Sequence, residues 1–111
     1  MADIAATLSD NDSVLTRFRV ALNAAFGDRI ERVVLYGSRA RDDARPDSDY
    51  DVAVFLRGFI DRWPEVDRLV VIETDLLDDT GAFVHAVPFR EGAWRERSPL
   101  MGAIRRDVVD L

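Results

Sequence analysis

Two short apolar runs, Val33-Val34-Leu35-Tyr36 and Tyr50 to Leu56, stand on either side of a Gly37-Ser38 pair and a polar segment rich in Arg and Asp. Both have the length and the β-branched or aromatic character of buried strands. The chain must therefore leave one strand, pass through a polar turn and re-enter a second. Ser38 is a good N-cap, so a helix is expected to start where the first strand ends. At such a junction Gly37 permits close backbone approach and an unusual φ. Free N–H groups and the positive end of a helix dipole would attract phosphate there. The Ser38 hydroxyl adds a donor, and Arg39 and Arg41 are close enough to bring positive charge to the same anion, in bidentate fashion if required.

Asp49 and Asp51 open the second run. Residues two apart in a strand point to one face, roughly 6.5 Å apart at about 3.3 Å per residue, so both carboxylates can serve one site. Two hard oxygen ligands beside a phosphate-binding turn suit Mg²⁺, which takes one or two protein carboxylates together with phosphate oxygens and water. The chemistry implied is phosphoryl or nucleotidyl transfer. Taken singly, Gly-Ser is a common turn and Asp-x-Asp in an acidic chain is ordinary solvated charge. Their combination, with a strand on each side and arginines between, carries the site reading.

These residues resemble the signature of the DNA polymerase beta-like nucleotidyltransferases, and in particular the minimal nucleotidyltransferase (MNT) group. That pattern is Gly-Ser, ten intervening residues and Asp-x-Asp, and Arg39 through Ser48 supply the ten without a gap. The resemblance implies an α/β (α+β) fold, a small mixed β-sheet flanked by helices. It further implies triphosphate cradled near Gly37 and Ser38, a divalent metal on Asp49 and Asp51, and transfer of AMP from ATP to an acceptor hydroxyl. Stand-alone MNT proteins are typically antitoxins paired with an all-helical HEPN ribonuclease toxin, which some of them neutralise by attaching AMP to a Tyr. A HEPN-family toxin is thus the partner the resemblance implies.

One departure concerns a third carboxylate, which active members of that family place on a later strand. The corresponding run here, Ala82 to Phe89, offers His85, Ala86 and Val87 instead of an acid, with Asp78 and Asp79 before it and Glu91 after it. His85 could act as a base or ligand, although a lone His in an apolar strand more often packs. Two alternatives follow: a degenerate nucleotidyltransferase that inhibits its partner by occlusion, and a small-molecule modifier of the aminoglycoside type.

The remaining sequence sets outer limits. A chain of 111 residues, 48% hydrophobic, is expected to form a single domain over residues 1–111, with residues 1–10 a flexible polar lead. No room is expected for a second substrate-binding domain, which points to a hetero- or homo-oligomer. The net charge of −6 argues against a broad nucleic-acid surface. All fifteen basic residues are Arg and there is no Cys, which removes Schiff-base, P-loop and thiolate chemistry. No run is long enough to span a bilayer and the first residues are acidic, so the expected location is the cytoplasm, away from membranes.

Helices are read in three places. Asp12 or Ser13 caps the first, whose stripe is Val14, Leu15, Phe18, Ala21, Leu22, Ala25 and Phe26, and Gly27 ends it. The second starts at Trp63-Pro64, with Val66, Leu69, Val70, Leu76 and Leu77 facing the core, and breaks at Gly81. Its Asp75, Asp78 and Asp79 read as a solvated face. The third starts at Ser98-Pro99 and runs to the end of the chain through Leu100, Ile104, Val108 and Leu111. Trp63 and Trp94 could each fill the core or stack on a base.

Overall fold

The computed structural model describes residues 12–41, 45 and 48–111. Strands β1 (Ile30–Tyr36), β2 (Tyr50–Leu56), β3 (Val84–Arg90) and β4 (Val108–Asp110) form one sheet in the order β3-β2-β1-β4. β1 is antiparallel to β2 and to β4, while β2 and β3 are parallel. The helices are α1 (Asp12–Phe26), the single turn α2 (Ser38–Arg41), α3 (Arg62–Thr80) and α4 (Pro99–Arg106). This is the mixed sheet flanked by helices that the family resemblance implies. Among the described residues, no helix is long and apolar enough to cross a membrane. The lead at residues 1–10 lies outside the described residues.

Alternation along the strands decides what each helix covers. One face presents Val33 and Leu35 of β1, Val52 and Val54 of β2, and Val84 of β3. Leu15, Phe18, Leu22 and Phe26 of α1 cover it together with Leu69, Ile72 and Leu76 of α3. The other face presents Val34, Ala53 and Phe55, packed under Met101 and Ile104 of α4 and under Ala93. Trp94 belongs to this second layer, edge-on to Phe55 at 5.7 Å between ring centroids, whereas Trp63 is exposed.

The helix ends follow local chemistry. Asp61 caps α3 by accepting from the Trp63 N–H at 3.2 Å, and Pro64 sits in the first turn, where its missing donor costs nothing. Gly81, at φ +77, closes α3 by donating to the Leu77 carbonyl at 2.8 Å. Ser98 caps α4 by accepting from the Met101 N–H at 3.0 Å.

Some expectations change. The last helix stops at Arg106, because Asp107 turns extended and Val108–Asp110 pairs with Val34–Tyr36. Val108 and Leu111 therefore belong to an edge strand and its end, and the Leu111 N–H donates to the Val33 carbonyl at 2.9 Å. Val70 and Leu77, expected in the core, are exposed, as is Ala25 of α1. The buried stripe of α3 is Glu65, Leu69, Ile72 and Leu76. Ser13 lies within α1 and not outside it as a cap.

Glu65 is 5% exposed because Arg29 reaches it in bidentate fashion, with Nη1 donating to Oε1 at 3.2 Å and Nη2 to Oε2. Arg29 Nε also donates to the Arg57 carbonyl at 3.0 Å, so one side chain ties the turn before β1 to the exit of β2 and the start of α3. Removing Arg29 would leave the buried Glu65 carboxylate without its counter-ion.

Candidate active site

The Tyr36 end of β1 delivers the chain into Gly37 at φ +77, a conformation that L side chains rarely adopt. The Gly37 carbonyl accepts from the N–H groups of Ala40 and Arg41, both at 3.1 Å, and so holds the turn of α2. Ser38 is consequently the first residue of that turn and not its outer cap. Because α2 is one turn long, little dipole accumulates, and any pull on an anion comes from local N–H groups and arginine charge.

Gly37 also leaves room for a neighbour. A Cβ placed on it would lie 2.8 Å from Asp51 Oδ2, so the carboxylate would have to shift. The absent side chain lets the Asp51 carboxylate rest against the turn. Asp51 pairs in register with Tyr36 on β1 and with His85 on β3, and all three side chains point to the face that α4 covers. Cover fades toward this end: Ala53 and Phe55 are fully buried, while the side chains of Asp51 and His85 are 36% and 60% exposed.

The electrostatics follow from that half-open position. Burial pushes the Asp51 carboxyl above the ordinary carboxylate range; His85 opposes the shift and the neighbouring Asp49 adds to it. Burial also raises the Tyr36 hydroxyl, and the Asp51 charge adds to the effect. Asp49 stands exposed just before β2.

The arginines divide their work. The Arg39 guanidinium lies 4.2 Å from the centre of the Tyr50 ring and donates from Nε and Nη2 to the Ser48 carbonyl at 3.2 and 2.8 Å. It braces the entry to β2 and anchors the segment that carries Asp49. Arg41 is exposed and lines a cleft of about 460 Å³ between Tyr36 and Gly37 on one side and Leu100, Ala103 and Arg106 of α4 on the other.

The acids weighed as a third carboxylate lie elsewhere. Asp78 and Asp79 are on the exposed end of α3. Glu91 follows Arg90, which pairs with Leu56 at the far end of the sheet. Six residues at about 3.3 Å each separate it from His85, roughly 20 Å. The position opposite Asp51 is held by His85, whose Nδ1 is 4.0 Å from Asp51 Oδ1. Among the described residues, no group of three or more His, Asp or Glu is arranged to hold a metal ion. Asp49 and Asp51, the two carboxylates expected from the sequence to hold a cation, would need phosphate oxygens and water to complete its coordination.

A mixed four-stranded sheet flanked by helices, with a glycine turn at the end of one strand and an aspartate at the start of the next, defines a class of small α/β domain. A family model described as polymerase beta, nucleotidyltransferase, matches residues 21–93, a span that takes in the turn, both aspartates and His85. The chain belongs to that family. Among solved structures it is similar to a Sulfolobus solfataricus protein assigned as a nucleotidyltransferase, at 18% identity and a TM-score of 0.65, covering 94% of this chain and 81% of that one. It is also similar to a toxin–antitoxin structure with AMP-PNP, at 17% identity and a TM-score of 0.59, covering 86% and 69%. A mutant of the toxin–antitoxin pair MntA-HpeT gives 16% identity and a TM-score of 0.54, covering 83% and 68%. At these identities the likeness is one of fold. No curated protein matches the chain.

Sequence reasoning missed Tyr36 and Arg106 as walls of the cleft. Tyr36 carried a signal, since the residue that ends a strand before a glycine turn stands at the mouth of whatever the turn builds. Arg106 had none, because only the packing of α4 across the sheet brings it near Gly37.

Proposed function

We infer that this domain binds a nucleoside triphosphate with Mg²⁺ and transfers a nucleotidyl group, AMP from ATP, to an acceptor hydroxyl. In this reading it is the antitoxin that neutralises a HEPN ribonuclease. The observation that carries the reading is the closeness of the Asp51 carboxylate to Gly37, where an added Cβ would lie 2.8 Å from Oδ2; it supports a single site for the turn read here as holding phosphate and the acid read here as holding the cation. Family membership supports the reaction class, and the similarity to toxin–antitoxin structures, one of them with AMP-PNP, supports a toxin as partner and a nucleotide as ligand.

Gly37 and Ser38 hold the triphosphate, Arg39 and Arg41 add positive charge, and Asp49 and Asp51 hold the cation. When bound, that cation supplies charge neutralisation on the phosphates. The acceptor oxygen bonds the α-phosphorus, the bond to the bridging oxygen breaks, pyrophosphate leaves, and the acceptor proton passes to a base. Positioning and electrostatics do most of the work in such transfers.

A second reading, inhibition by occlusion alone, is favoured by His85 standing opposite Asp51 where an acid would complete the site. One experiment separates the two. The protein is incubated with α-labelled ATP, Mg²⁺ and its co-purifying or adjacent-gene partner, and label on protein is followed by gel and mass spectrometry. Transfer to the partner that falls to background in Asp49→Asn with Asp51→Asn, with the fold intact by circular dichroism, supports the enzyme. Label that persists in the double variant removes these aspartates from the mechanism. A partner silenced equally by wild type and variant, without label, establishes occlusion.

A further inference from the structure

The two oxygens of Asp51 face different neighbours. Oδ2 lies against the Gly37 turn and Oδ1 faces His85 Nδ1 at 4.0 Å. We propose that Asp51 and His85 are two ligands of one divalent cation site, an oxygen and nitrogen pair that selects a borderline transition metal such as Zn²⁺ over Mg²⁺. This rests on the reading of the same end of the sheet as a cation and nucleotide site, and changes which metal it takes.

The backbone supplies the first argument. Asp51 and His85 are paired in the parallel ladder of β2 and β3, so their side chains leave the sheet side by side on one face. Two rigid strands fix the pair, a better support than a loop gives. Distance supplies the second. Ligands held about 2.1 Å from a tetrahedral Zn²⁺ lie about 3.4 Å apart, and side-chain rotation alone closes the remaining gap from 4.0 Å. Exposure supplies the third, since the side chains, 36% and 60% exposed, open to solvent on the side where water or phosphate oxygens complete the coordination.

Chemistry decides the preference. An imidazole nitrogen suits Zn²⁺ and later transition metals, while Mg²⁺ demands oxygen. An acid opposite Asp51 would make the pair all oxygen; His85 makes it mixed. Asp49, exposed beside the pair, contributes negative charge that draws any cation in.

The chain has one histidine, so its imidazole gives a single set of nitrogen signals. The full-length protein, without nucleotide, is titrated with Zn²⁺ and separately with Mg²⁺. The His85 ¹⁵N resonances are followed by NMR and the affinities by calorimetry. The expected result is a stoichiometric Zn²⁺-dependent shift of Nδ1. His85→Asn and Asp51→Asn should each weaken Zn²⁺ at least about tenfold, the scale of losing a ligand or its support, while His85→Asn leaves Mg²⁺ affinity unchanged. His85→Asp should reverse the preference toward Mg²⁺.

An unmoved Nδ1 signal would overturn the proposal. So would Zn²⁺ affinity that survives Asp51→Asn, which makes His85 an isolated surface ligand, or equal loss of both metals in His85→Asn, which makes it a mere support for Asp51. Neither metal readout depends on nucleotide transfer. Transfer failing with Zn²⁺ as well as with Mg²⁺ while the mixed site binds Zn²⁺ therefore sinks the proposed function alone, and transfer succeeding while Nδ1 stays still sinks this inference alone.

Discussion

The two faces of the sheet are built from alternating residues of the same strands and end in opposite conditions. One is closed along its whole length by α1 and α3, with Phe18, Leu22, Val52, Val54 and Leu69 essentially without solvent contact. The other is closed only where α4 and Ala93 lie over Val34, Ala53 and Phe55, and beyond them it opens onto Tyr36, Asp51 and His85. The difference teaches that the site is the unfinished part of a core. The first face supplies the stability that lets Tyr36 and Asp51 stay half-buried beside the exposed Asp49 and His85 at the end of the second.

If stability resides on the closed face, deleting a large side chain there should dominate any change at the open end. Phe18→Ala removes a fully buried ring and is expected to cost about 3–5 kcal/mol, a large share of what a domain of this size has. Urea unfolding measures this, with the Asp49→Asn, Asp51→Asn protein as the open-face counterpart. A double variant that loses as much as Phe18→Ala would break the comparison, because the site would then be part of the structural core.

Two glycines sharpen it further. Gly37 and Gly81 have the same φ of +77, yet a Cβ on Gly81 meets nothing within 4 Å while one on Gly37 meets Asp51 Oδ2 at 2.8 Å. Gly81→Ala should therefore cost only the left-handed backbone penalty, about 1–2 kcal/mol, and leave nucleotide and metal binding alone. Gly37→Ala should cost that plus displacement of a carboxylate, and should also weaken both ligands. Calorimetric binding set beside urea midpoints for the two variants reads the difference directly. Equal stability losses with binding retained in both would mean that Asp51 swings aside freely and that its contact with the turn constrains nothing.

What the sequence made legible follows from how local each cause is. β2 matches its apolar run residue for residue, and β1 extends its run back to Ile30, because dense β-branched and aromatic residues have few other uses. Gly27, Gly81 and Ser98 mark helix ends through their own backbone or side-chain chemistry. The misreadings have non-local causes. Val108 sits four residues after Ile104 and fits a helix face, yet pairing with β1 claims it for β4. Glu65 would be placed outside by any hydrophobic pattern, and is inside because Arg29, thirty-six positions earlier, comes back to meet it. At the site, the spacing from Ser38 to Asp51 was legible as a motif. The register that puts His85 opposite Asp51 was not, since it depends on where β3 docks against β2.

The smallest effect tests whether the open end carries a cost. Burial raises the Asp51 carboxyl in the folded chain, with His85 opposing and Asp49 adding to the shift. A carboxyl raised on folding binds its proton more tightly in the native state. Its contribution to stability is therefore complete below the ordinary carboxylate pKa of about 4 and is lost as pH climbs through the raised value. Wild type should lose this contribution as pH rises above about 4, whereas Asp51→Asn, which has no charge to bury, should not. At neutral pH the variant should be at least as stable as wild type, by a small margin because the side chain is partly in water. Glu73 shifts in the same direction, raised by burial against the opposing hydrogen bond from the Ala86 N–H, so the raw pH profile mixes the two. The difference between the wild-type and Asp51→Asn urea midpoints, taken at each pH, largely cancels Glu73 and leaves Asp51 with its couplings to His85 and Asp49. A difference that grows in the variant's favour as pH rises confirms that this half-covered carboxylate is held at a cost to the fold. A variant that is less stable at neutral pH would mean that the ionised Asp51 is paired well enough to stabilise its surroundings, and the two faces would then differ in cover but not in strain.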